Sequence, residues 1–107
     1  MSNAINSQTI NATLTEKEKI EFLITSVENL ENAKFYRNGS IHDAVDAGKH
    51  LRMKVRKAGD RVKTAEDFIK KIASKPSITG KDYKIVFSDG KEQITSKYFY
   101  SVLNTLK

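Results

Sequence analysis

The sequence predicts an α+β fold, a small antiparallel sheet of two hairpins packed with about four helices in a single domain. Two turn dipeptides point to the sheet: Asn38-Gly39 and Asp89-Gly90 each lie between short runs in which apolar and polar side chains alternate. Four helix-start signatures, at Thr15, Asp43, Thr64 and Ser96, each precede apolar residues at steps of three and four.

In Thr15-Glu16-Lys17-Glu18 the threonine oxygen accepts from an orphan backbone N–H and the glutamate reaches back to the cap amide, so a helix follows. Ile20, Leu23, Ile24, Val27 and Leu30 form its apolar stripe, with Lys17, Glu18, Glu21 and Glu28 outside it. Phe35–Arg37 and Ser40–His42 then pair around Asn38-Gly39, because a type I′ turn needs positive φ at both central residues. Asp43 opens a second helix near Ala44. Its Ala44, Gly48, Leu51, Val55, Ala58 and Val62 make a seam that must face a partner, and in that phase His50 points largely outward. Ala44, Ala47 and Gly48 let another backbone approach closely, which accounts for a glycine that costs about 1 kcal/mol in a helix.

Thr64 caps a short helix whose Phe68, Ile69 and Ile72 face inward, and Pro76 stops it. A loop, Ser77-Ile78-Thr79-Gly80, leads to a strand in which Tyr83, Ile85 and Phe87 alternate with Lys84 and Val86. Asp89-Gly90 turns that strand back toward Glu92 to Ile94. Ser96 caps a last helix with Phe99, Val102, Leu103 and Leu106 inward and Tyr98 and Tyr100 to the sides.

A chain of 107 residues builds one core. Residues 1–13 read as a disordered polar tail, with Ser2-Asn3-Ala4 resembling an expression-tag scar, and 14–107 as the domain. A native export signal ahead of that scar is compatible with this reading. No apolar run reaches the roughly 18 residues that a membrane-spanning helix needs. With no cysteine, the sequence excludes disulfides, thiolate nucleophiles and thiolate metal sites. The net charge of +6 attracts polyanions, but the lysines are scattered, and only Lys49 to Lys57 is dense.

His42, Asp43, Asp46 and His50 could supply metal ligands, yet no closed ligand spacing is present, so neither a metal nor a cofactor is expected. Ser77 or Thr79 with His50 could serve a hydrolase, although no nucleophile elbow surrounds either hydroxyl. The basic helix over 49–63 is the one candidate for a non-specific polyanion or nucleic-acid surface. It lacks the interleaved aromatics that stack on bases, so nucleic acid is disfavoured.

From Phe35 onward "FYRNG", "DAVDAGKHLRMK", "RVKTAEDFIKKIAS" and "SITGKDY" follow one another in an order that resembles the YfeK-like family of small exported bacterial proteins, a domain of unknown function. Asp46 replaces that family's glutamate, Thr79 a serine and Asp82 a proline. The resemblance implies export with a cleaved signal peptide, hence a periplasmic or secreted setting, and it implies no activity. On the matching positions the binding candidates are Arg37, His50, Arg52, Lys54, Ser77, Thr79 and Tyr83. The bland alternative is that Arg52 and Lys54 lay their stems over the core edge and pair with carboxylates such as Glu66 or Asp67. The expectation is a monomeric or weakly associating, non-enzymatic binding or accessory module. Its partner is left open between an envelope protein and an anionic polymer.

Overall fold

Four helices and a four-stranded antiparallel sheet make up the protein in a computed structural model that describes residues 14–37, 39–74 and 83–106. The elements are α1 (Glu16–Glu28), β1 (Lys34–Arg37), β2 (Ser40–His42), α2 (Ala44–Ala58), a 3₁₀ turn (Gly59–Arg61), α3 (Ala65–Lys71), β3 (Lys84–Val86), β4 (Glu92–Ile94) and α4 (Thr95–Thr105). The fold is α+β. The tail over 1–13, Asn38, Pro76 and the Ser77–Gly80 loop lie outside the described residues.

The strands lie in the order β2-β1-β3-β4, so the two hairpins join through β1 and β3. Phe35 stands opposite His42 on one side and Ile85 on the other, which places all three on one face of the sheet. On that face Phe35 and Ile85 are buried beneath the helices, while Tyr36 and Ile41 on the other face are half-buried and exposed. Leu23, Ile24 and Val27 of α1, Phe68 and Ile69 of α3, and Phe99 of α4 complete the core. Phe68 and Phe99 meet edge to face, with ring centroids 5.3 Å apart.

Local chemistry sets the helix starts. Thr15 and Glu18 form a reciprocal capping box, as do Thr64 and Asp67, and the Asp43 carboxylate accepts from the Asp46 amide at 2.8 Å. Ser96 is no cap. Helix α4 begins at Thr95 straight from β4, with Ile94 in the cap position, and the Thr95 amide donates to the Tyr83 carbonyl at 2.9 Å. The strand alongside thus satisfies an orphan amide, and no side-chain cap is required.

The basic helix is also shorter than 49–63. Gly59 takes a positive φ of 54° and ends α2 at Ala58, leaving Arg61 and Lys63 outside it. At the second hairpin the turn is longer than a two-residue loop: the Gly90 amide donates to the Phe87 carbonyl, and Phe87 pairs with Lys91. Gly90, at φ 88°, takes the left-handed position that such a three-residue loop requires.

Candidate functional site

Helix α2 carries two inward edges where the sequence suggested one. Along the first, Gly48 and Arg52 face α1, and the Arg52 guanidinium clasps Glu28 through Nε at 3.0 Å and Nη2 at 2.9 Å. Its Nη1 reaches Glu21 at 2.8 Å. Arg52 therefore pairs with carboxylates of α1 and not with Glu66 or Asp67, which bind Lys70 and Lys71 of their own helix. The two α1 carboxylates hold the Arg52 proton more tightly than usual, and the guanidinium holds both carboxyls below their ordinary value.

Along the second edge, Ala47, His50 and Leu51 face the β1–β2 hairpin. His50 is half-buried rather than outward, and its Nε2 is fully buried with no hydrogen-bond partner among the described residues. The physical reason is that one helix stripe can serve two neighbours, so a residue beside the α1 seam still meets the sheet.

These residues enclose a pocket of about 40 Å³ open to a water-sized molecule. Arg37, His42, His50, Tyr83 and Thr95 are among the polar residues that line it. Phe35, Leu51, Ile72 and Phe99 are among its apolar walls. Arg37 Nη2 stands 3.5 Å from His42 Nε2, at the outer limit of a hydrogen bond. Burial pushes the His50 imidazole below its ordinary value of 6.5, and the charges of Arg37, Lys54, His42 and Lys57 push it the same way. At neutral pH His50 is therefore an uncharged ring with an unused nitrogen.

Of the seven candidates, the pocket gathers Arg37, His50 and Tyr83. Arg52 belongs to the α1 clasp, and Ser77 and Thr79 lie outside the described residues. Lys54 lies on a separate cleft with Lys57, Arg61 and Lys71. Arg56 and Lys57 sit in the last turn of α2 and Lys70 and Lys71 in that of α3, where cations complement the helix dipole without any ligand. Among the described residues no three His, Asp or Glu side chains stand together as metal ligands.

Phe35 and Thr95 are members that sequence reasoning missed, and His42 is one it weighed only as a metal ligand. For His42 a signal existed. Counting outward from the Asn38-Gly39 turn pairs Phe35 with His42, and the buried partner predicts an inward histidine. Thr95 had none, since its place depends on β4 running directly into α4.

A search of curated proteins finds the uncharacterized protein YfeK of Salmonella typhimurium, 38% identical over 73 residues. That alignment covers 68% of this chain and 61% of the relative, so the chain spans less than two thirds of the relative's length. No solved structure matches. A family described as "Family of unknown function (DUF5329)" matches residues 14–107, the whole of the described fold, and the chain belongs to that family.

Proposed function

We propose that this domain is a non-enzymatic binding module of the bacterial envelope whose ligand enters the pocket between the first hairpin and α2. One observation carries the reading: His50, whose fully buried Nε2 has no hydrogen-bond partner among the described residues, lines a cavity together with Arg37, Tyr83 and Thr95. A buried polar atom left without a partner costs about 1 to 3 kcal/mol, and a ligand that hydrogen-bonds to it recovers that cost on binding. The hydrolase alternative gains no support, because Ser77 and Thr79 lie outside the described residues. The envelope setting rests on the resemblance to exported proteins. Osmotic-shock fractionation of cells producing the full native gene product tests it, and a product that stays in the cytoplasm unprocessed would overturn it.

The binding role is tested by titrating ¹⁵N-labelled protein with a panel of small acids, amides and alcohols. Saturable shifts are expected at Arg37, His42, His50 and Leu51, and they should vanish in His50→Leu. Shifts confined to surface lysines, or none, would remove the pocket as the site.

A further inference from the structure

The pocket's size, walls and charge narrow the ligand further, on the premise that it is a binding site at all. A single water-sized sphere needs roughly 10 to 15 Å³ by this measure. The 40 Å³ present therefore takes a fragment of about three or four non-hydrogen atoms. Its walls are chiefly carbon, from Phe35, Leu51, Ile72 and Phe99, so the inserted part is a short hydrocarbon.

The polar end is set by charge. Arg37 lines the pocket, no Asp or Glu does so among the described residues, and Lys54 and Lys57 are close enough to bear on His50. A cationic head would be repelled there, and an anion attracted. A neutral imidazole offers one N–H, and in the Nε2–H tautomer that donor is the buried atom without a partner among the described residues, on a residue that lines the cavity. A planar carboxylate can take the guanidinium and the imidazole N–H together, one on each oxygen.

We infer that the pocket binds a short carboxylate of about four or five carbons, its head held by Arg37 and His50 and its chain lying against Phe35, Leu51 and Phe99. The same chemistry is presented by a free acid or by the carboxyl terminus of a peptide ending in a small apolar residue.

Sodium isobutyrate, isobutyramide and N-acetylvaline serve as probes, with the imidazole nitrogens of His50 and the methyl groups of Leu51 followed by NMR in the full chain at constant ionic strength. Isobutyrate is expected to shift both residues saturably in the millimolar range, with its neutral amide at least about tenfold weaker, as a charge-assisted bond requires. Arg37→Gln, checked for an unchanged melting temperature, is expected to weaken isobutyrate about tenfold or more while leaving isobutyramide unaffected. Tighter binding of N-acetylvaline assigns a peptide terminus, and tighter binding of isobutyrate assigns a free acid. Equal or better binding of the amide would overturn the carboxylate assignment while leaving a binding pocket in place. No saturable shift with any of the three would overturn the inference, and the broader panel then decides whether the pocket binds anything.

Discussion

Glu28 of α1 lies across Gly48 of α2, and the Arg52 guanidinium holds it there with two hydrogen bonds of 3.0 and 2.9 Å. A Cβ at Gly48 would overlap the Glu28 side chain, so the glycine and the ion pair are one device. The close approach allowed by hydrogen at Gly48 leaves room for a carboxylate between the helices, and Arg52, one turn along α2, neutralises it.

That coupling is measurable. Alone, Gly48→Ala gains about 1 kcal/mol of helix propensity, but it displaces Glu28 and crowds the crossing at a cost of about 1 to 3 kcal/mol, so no net stabilisation is expected. In a Glu28→Ala background the obstacle is absent, and the same substitution is expected to stabilise by up to about 1 kcal/mol. Urea unfolding of the four variants closes the cycle. Additive effects would mean that the two side chains do not meet.

Stability is expected to fall with acid in two stages. His50 has a folded value below its ordinary 6.5, so in the window between them the unfolded chain binds more protons. The contribution of the neutral ring is complete above pH 6.5 and declines as the pH drops below it. The carboxyls of Glu21 and Glu28, lowered chiefly by hydrogen bonds from Arg52, and of Glu16, lowered chiefly by the Ala65 amide, act below their ordinary 4.5. Their contribution is complete above 4.5 and is lost as the pH falls through the folded values. Melting temperature against pH checks the sequence of losses: His50→Leu is expected to erase the upper stage and Arg52→Gln to shrink the lower. A single descent below pH 4.5, the same in His50→Leu, would show that His50 titrates as a free ring.

His50→Leu is also expected to stabilise the protein at neutral pH by about 1 kcal/mol, because it removes a buried polar atom that has no partner among the described residues. Leu51→Ala, one residue on, is expected to cost about 2 kcal/mol, the low end for a leucine because Leu51 is only half-buried. A binding residue retained at the expense of stability is the expected mark of a functional site. Thermal unfolding decides the matter. Should His50→Leu prove as damaging as Leu51→Ala, the imidazole would have an internal partner.

At the first hairpin Gly39 takes φ 82° and has open space where a Cβ would stand. The constraint is conformational and not steric crowding. Gly39→Val is therefore expected to destabilise by more than about 1 kcal/mol, and Gly39→Asn by much less, since asparagine tolerates left-handed backbone. Equal melting temperatures for the two variants would contradict the positive-φ turn.

The starts of α1, α2 and α3 and both turns were legible in the linear sequence because a cap or a turn involves residues within four of one another. Thr15 with Glu18, Asp43 with Asp46 and Thr64 with Asp67 satisfy orphan amides over that span, whatever the rest of the chain does. The inward stripes of α1, α3 and α4 followed from periodicity, since each of these helices buries a single face.

Where a helix meets two neighbours, periodicity gives the stripe but not the division of its edges. Folding assigned Arg52 to Glu28, 24 residues away, and turned His50 toward a hairpin that precedes it in the chain. The start of α4 at Thr95 likewise depended on Tyr83, a strand away. In each case the deciding partner is distant in sequence. Burial forces a polar group to find whichever partner the crossing of elements brings near, and His50 Nε2, on the pocket lining, finds none among the described residues.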